Sequence, residues 1–320
     1  MGKTVIVVEK YCDWLDSYSV IADNPNDEYI IHFMENGRND IESLNTLYRE
    51  IVKGDNFKVT GHSSKSYFIH DLPYDIIKTL NPGDVVAMPF VRYISIWKSL
   101  SKVPKGIRTI HMSEGFPETF GQIGYRIGFR GKRLKTYLSL PYAKLYSMLN
   151  KADICYFHAY PRFKNPFAKE TRPMQIPPLV SSKRELLKDL LGDKKRPLIL
   201  GGFGYDVFKM AQKLGINEYV ASSKGLEIII DGKIHPLKER ISAEEILLSK
   251  NVSQIVGYTS NAILWAKLIT PDMPVTCYAV TGLNKFASPF YGWYAKKILK
   301  KYGIDVKPED KDMLTPINYK

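Results

Sequence analysis

Short β-branched runs alternate with helix-patterned windows along this chain; the alternation stops in the middle and then starts again. Thr4–Val8, in which four of five residues are Val or Ile, reads as a buried first strand. Glu28–Met34 (EYIIHFM) reads as a strand, and Asp40–Gly54 as a helix with Asp40 as N-cap and Gly54 as stop. Tyr74–Phe90 reads as a helix, a Pro-Gly turn and another buried strand; Arg108–Met112 is a strand that ends directly at Ser113-Glu114-Gly115. Strands separated by helices predict parallel sheets joined by crossover units. Between Pro161 and Pro178 five prolines fall in eighteen residues, a composition that suits a loop or linker. The alternation then resumes: helix SSKRELLKDLLG, strand RPLILGG, helix YDVFKMAQKLG, strand LEIIID, helix SAEEILLSK, strand QIVGYTS, helix NAILWAKLI.

This pattern predicts an α/β protein of two Rossmann-like domains with a cleft between them. The expected boundaries are 1–178 for an acceptor-side domain, 179–285 for a nucleotide-binding domain, and 286–320 for a basic helix and tail that packs back on the first domain. A length of 320 residues agrees with two domains at about 100–200 residues each. In such sheets ligands bind at the carboxyl ends of strands.

The formal net charge is +13, which favours an anionic partner: nucleic acid, an anionic membrane surface, or an acidic small molecule or polymer. No RNA- or DNA-binding motif accompanies the charge, so no nucleic-acid partner is expected, and a basic nucleic-acid-binding protein stays only as a low-ranked alternative. Arg126, Arg130, Lys132, Arg133 and Lys135 form one basic cluster, and Lys296, Lys297, Lys300 and Lys301 another. The three cysteines are far apart and make no zinc spacing or disulfide framework, so a reducing compartment is expected. The apolar run before Glu9 is five residues long, too short for a signal peptide or a bilayer span. These features predict a cytoplasmic protein, with peripheral contact to the cytoplasmic membrane face as a further option.

Four polar constellations stand at strand ends. Glu114 follows a buried strand in a turn opened by Gly115, where a carboxylate serves either as a general base or as an ordinary turn acid. His235-Pro236 follows the run Leu226–Ile230 and the turn Asp231-Gly232; proline biases His235 to an extended backbone, which presents the imidazole. Such a ring donates to a phosphate or is simply a satisfied structural histidine. Gly257 ends a strand shortly before Thr259 and Ser260, whose hydroxyls open a helix; this is an anion site or plain N-capping, and the two are compatible. The strand–turn–helix Leu198–Asp206 offers Gly202 and Gly204 for close backbone approach to a nucleotide, but lacks the third glycine of the dinucleotide fingerprint. Asp310–Asp312 is assigned to the solvated surface, and no metal ligand is assigned anywhere in the chain.

An acid-Gly turn after a strand, then His-Pro, then AEEIL, then GYTS opening a helix resembles the bacterial sialyltransferases of two-domain GT-B architecture. The likeness is to their polysialyltransferase-like and lipooligosaccharide sialyltransferase groups. It covers motifs spread from about residue 108 to 266. In those families the turn reads acidic-acidic-Gly and the last pair is Ser-Ser or Ser-Thr; here the first acidic position is Ser113 and the pair is Thr259-Ser260.

The resemblance implies an inverting transfer of sialic acid from CMP-sialic acid to a hydroxyl of a capsule or lipooligosaccharide glycan. Glu114 would be the base, with Glu118 in reserve. His235 would be the acid or hydrogen-bond donor to the leaving phosphate, which Pro236, Thr259 and Ser260 also face, and Glu244 or Glu245 would hold the ribose hydroxyls. The donor is a substrate, so no cofactor and no metal are expected, because one phosphate can be met by protein donors. The acceptor would be anionic or lipid-linked, received by the Arg126–Lys135 cluster. Other enzymes of this architecture, such as a CMP-Kdo transferase or a sugar-nucleotide epimerase, stay open as alternatives.

Overall fold

The computed structural model describes residues 2–8, 13–35, 41–52, 56–63, 73–88, 102–112, 151–158, 161–162, 164–165, 168–202, 204–222, 226–258, 260–278 and 299–315. The chain divides into two compact units, Met1–Pro177 and Pro178–Lys320.

The first unit is built on β1 (Lys3–Val8), β2 (Glu28–Glu35), β3 (Phe57–Ser63), β4 (Val85–Met88), β5 (Arg108–Met112), β6 (Ala152–Phe157) and β7 (Ala168–Pro173). They form one sheet in the order β3-β2-β1-β4-β5-β6-β7, and every pair is parallel. The apolar runs are explained by this placement, since a central parallel strand is covered on both faces. Val5, Ile6, Val7 and Val8 are all fully buried. Helices α1 (Asp13–Asp23), α2 (Ile41–Ile51) and the single turn α3 (Tyr74–Ile77) belong to this unit. Ile77 and Leu80 pack with Val5, Val7, Val86 and Met88 on one face of the sheet.

The proline-containing stretch is more than a linker. Residues 168–173 form β7, the edge strand of the first sheet, paired with β6. An edge strand tolerates Pro173 and leaves Lys169 and Glu170 exposed, so it lacks the buried pattern of the other strands.

The second unit starts with α4 (Ser181–Leu191). It then runs β8 (Arg196–Leu200), α5 (Val207–Leu214), β9 (Val220–Ser222), β10 (Glu227–Ile230), β11 (Lys233–Pro236), α6 (Ala243–Leu248), β12 (Val252–Tyr258), α7 (Asn261–Ile269), β13 (Val275–Tyr278) and β14 (Asp305–Lys307). Its sheet has the order β11-β10-β9-β8-β12-β13-β14.

Two expectations change here. The sheet is mixed, because β10 runs antiparallel between β9 and β11. The β10–β11 hairpin turns at Asp231-Gly232, whose φ angles of 49° and 78° suit a tight two-residue turn. The residues after 298 also do not form a separate tail: β14 adds a seventh strand beside β13. The helix expected over 290–303 lies outside the described residues up to 298; residues 299–301 are helical and end before Gly303, at φ 70°.

Candidate functional site

The carboxyl end of the second sheet gathers several of the polar residues singled out above. β8 and β12 are neighbours there, with Gly257 opposite Leu200. A Cβ on Gly257 would lie 2.5 Å from the Leu200 Cβ, so only glycine lets the two strands approach in this way. The chain leaves β8 through Gly202, at φ 132°, and a Cβ there would stand 3.0 Å from Cε1 and 3.2 Å from the hydroxyl oxygen of Tyr258. The absence of a side chain at Gly202 is thus what makes room for the Tyr258 ring.

Gly202 and Tyr205 then exchange two backbone hydrogen bonds of 3.0 Å, which closes a tight turn around Gly204. Residues 313–315 strap this turn from the other side. Thr315 N donates to the Gly204 carbonyl at 2.7 Å, Asp206 N donates to Met313 O at 2.9 Å, and the Thr315 hydroxyl donates to Asp206 Oδ2 at 2.9 Å. Gly202 and Gly204 therefore allow close backbone approach, and part of that approach is taken by the chain itself.

The three helices that directly follow strands of this sheet begin differently. At α5, Asp206 accepts from Phe208 N at 2.9 Å and Lys209 N at 3.1 Å. Burial works against ionisation of Asp206, but the Lys209 and Phe208 amides, the Thr315 hydroxyl and the Lys209 charge hold its carboxyl below the usual aspartate range. At α6 a capping box closes the end: Glu245 N donates to Ser242 Oγ at 3.2 Å, and Ser242 N donates to Glu245 Oε2 at 2.7 Å. Glu245 is fully buried in that role, which leaves Glu244 as the acid of this turn whose charge acts on Tyr258. At α7 the cap is neutral. Ser260 Oγ accepts from Ala262 N over a long 3.4 Å, and the first turn carries no acid. Such an end favours negative charge through the helix dipole.

Tyr258 joins these pieces. Burial raises its hydroxyl pKa above the ordinary tyrosine value, the Glu244 carboxylate adds to the rise, and a hydrogen bond with the Ser260 side chain works the other way. Gly202, Tyr258, Ser260 and Glu244 thus form one corner. Sequence reasoning passed over Tyr258, because a tyrosine at the last position of a strand looks like ordinary core.

His235 lies at the same end of the sheet but not in this corner. It is half-buried on β11, the outermost strand, opposite Ile228, and Pro236 beside it is exposed. Four ladder steps separate β11 from β12, roughly 19 Å at the usual strand spacing of about 4.8 Å. His235 and Ser260 touch one ligand only if it lies along the rim between them. The connection that follows His235-Pro236 is held firmly. Lys183, buried in the first turn of α4, donates from Nζ to the Glu239 carboxylate and, at 2.8 Å, to Arg240 O. The Ser222 hydroxyl donates to Ile241 O at 3.1 Å.

In the first unit β5 ends at Met112, whose partner on β6 is Tyr156. Two residues past Tyr156, buried His158 stands 3.5 Å from Asp16 in the first turn of α1. Neither residue was picked out from the sequence, since an isolated histidine and an acid 142 positions away share no motif. Glu114, Glu118, Thr259 and the Arg126–Lys135 cluster lie outside the described residues.

The sequence matches no protein-family model, and a search of curated proteins finds no match. In fold the chain is similar to a solved structure described as TcCGT1 in complex with UDP. The TM-score is 0.54 at 10% sequence identity, over 96% of this chain and 86% of that one. At that identity the likeness speaks for the fold alone: the chain has the two-unit α/β fold of the GT-B class.

Proposed function

We propose that the chain is an inverting glycosyltransferase that moves sialic acid from CMP-sialic acid to a hydroxyl of a glycan acceptor, the galactose or sialic acid end of a capsule or lipooligosaccharide glycan. Support for a nucleotide-sugar donor comes from the GT-B fold and from the UDP held by the similar structure. Support for a donor with one phosphate comes from the Gly202–Tyr258–Ser260–Glu244 corner, the observation that carries the reading. α5 and α6 begin against their own carboxylates, Asp206 and Glu245, so a second phosphate at either end would meet fixed negative charge. α7 begins against a neutral hydroxyl.

In this reading the phosphate lies at Ser260 and Thr259, the ribose hydroxyls donate to Glu244, and the turn at Gly202 and Gly204 lets the backbone come close. Glu114, or Glu118 in its place, takes the proton of the acceptor hydroxyl. The acceptor oxygen attacks the anomeric carbon from the face opposite the phosphate, the carbon–oxygen bond to the phosphate breaks, and CMP leaves with that electron pair. Configuration is therefore inverted. His235, with Pro236 fixing its backbone, reaches the donor from the β11 side of the rim and donates to the departing phosphate. Protein donors meet the phosphate charge, so neither metal nor cofactor takes part. No helix among the described residues is long and apolar enough to cross a membrane, and the basic charge is read as holding the enzyme at the cytoplasmic face of one.

A nucleoside-diphosphate donor is the second reading, favoured by the UDP of the similar structure. The test is incubation with CMP-sialic acid, CMP-Kdo and UDP-sugars against a panel of galactosides, followed by nucleotide release and product mass. CMP release from CMP-sialic acid with one added sialyl mass is expected, and excess EDTA should leave the rate within about twofold. Turnover of a UDP-sugar, or a loss in EDTA restored by magnesium or manganese, would move the assignment to the second reading.

A further inference from the structure

We infer that the outer edge of β11 is a strand-pairing surface that fits a second copy of this chain, and that Pro236 keeps it closed; the inference stands apart from the donor reading. Two hydrogen bonds fix the direction of the backbone groups on the β10–β11 hairpin. Asp231 N donates to Tyr219 O at 2.8 Å, on the β9 side, and Leu237 N donates to Leu226 O at 2.8 Å, between β11 and β10. Backbone groups alternate sides along a strand. With Glu227–Ile230 opposite Lys233–Pro236, the even-numbered residues of β10 bond β11 and the odd-numbered ones bond β9. On β11 the order reverses: Lys233 and His235 face β10, while Ile234 and Pro236 face outward. β11 is the last strand on this side of the sheet among the described residues. Its outer edge therefore offers the Ile234 N–H and C=O and the Pro236 C=O, with a ring where the N–H of any other residue would point.

The edge is apolar and open to solvent. Ile234 is 56% exposed and Leu226 58%, so two of the five large hydrophobic side chains left exposed among the described residues fall on this one hairpin. The edge strands β7 and β14 carry exposed charges instead, Lys169 and Glu170 on one and Asp305 and Lys307 on the other, which discourages pairing. A second copy is the occupant that fits, because β11 can pair with itself. Laid antiparallel about a two-fold axis at Ile234, each Ile234 exchanges two hydrogen bonds with its counterpart, and Gly232 comes opposite Pro236. The two isoleucines then lie side by side, an apolar cross-strand pair of the kind that stabilises sheets. Pro236 opposes this pairing in two ways: it supplies no N–H to Gly232 of the second copy, and its ring fills the space of the incoming strand.

Pro236→Val tests this, since it restores the N–H and suits a strand. In light scattering across a concentration series the variant should climb to twice the mass of the wild type, while the wild type stays at one value. Adding Ile234→Lys should return the variant to the wild-type mass, because like charges would then meet on the axis. A cross-link reads the register directly. Hydrogen-bonded antiparallel partners have Cα atoms about 5.5 Å apart, inside the disulfide range of about 4.4–6.8 Å. Under mild oxidation Ile234→Cys should therefore form a disulfide between copies about 10-fold faster in the Pro236→Val background than with Pro236 in place, the scale of two hydrogen bonds. Pro236→Ala, which restores the N–H with a smaller side chain, carries the same tests should the first variant fail to fold. Wild-type mass at every concentration, association that survives Ile234→Lys, or equally fast cross-linking with Pro236 present would each overturn the inference. None of these results bears on the identity of the donor.

Discussion

His235 stands on a strand that borders no further strand among the described residues, so its side chain carries little of the core. Truncating it should cost function and spare the fold. His235→Ala is expected to lower turnover with CMP-sialic acid by roughly 100-fold, the scale for losing an acid catalyst or leaving-group donor, with an unchanged melting temperature. Turnover near that of the wild type would assign leaving-group stabilisation to Ser260 and the start of α7 instead. Glu244 and Glu245 show the limits of sequence at this scale. Both are acids in the first turn of α6, a place that favours acids generally, and nothing in their spelling ranks them. The capping box removes Glu245 from consideration, because its carboxylate is already accepting from Ser242 N. Tyr258 was hidden for a different reason: its place depends on a bare Gly202 across a neighbouring strand, a pairing that no local spacing reveals.

Among elements, α4 and the connection from β11 to α6 behave as one piece through Lys183. Its ammonium is buried, while its partner Glu239 remains partly exposed and can turn to water. Lys183→Ala would leave Arg240 O without this donor and open space beneath the connection. A destabilisation of about 2 kcal/mol is expected, well under that of breaking a fully buried pair, and is measurable by urea denaturation. A loss below about 0.5 kcal/mol would show that the ion pair is replaced by water at little cost. Strands were legible where burial was complete. Thr4–Val8, Arg108–Met112 and Leu198–Leu200 each carry runs that a two-sided core demands. β7 was not legible, since its exposed Lys169 and Glu170 and its Pro173 look like linker chemistry. The Asp231-Gly232 turn was visible, but not that its hairpin would carry His235 outward to the sheet edge, because strand order is set by packing between distant segments.

At the scale of the whole molecule the excess of positive charge remains the strongest pointer to the acceptor. Replacing Arg130, Lys132 and Arg133 with Ala should raise the apparent KM for an anionic or lipid-linked acceptor, at about 1 kcal/mol per charge near an anionic surface, and leave the KM for CMP-sialic acid nearly unchanged. Equal weakening toward a small neutral acceptor would mark the cluster as structural. The strap over the Gly202–Tyr205 turn has a consequence for the order of events during synthesis. Thr315 reaches its partner Asp206 across 109 residues, so the ribosome must deliver nearly the whole second unit before that contact can close. The first unit, by contrast, can reach its native sheet while the second is still being made. A nascent chain halted before residue 313 should therefore hold a native-like first sheet and an open glycine turn. The glycine turn would then be among the last parts of the second unit to close.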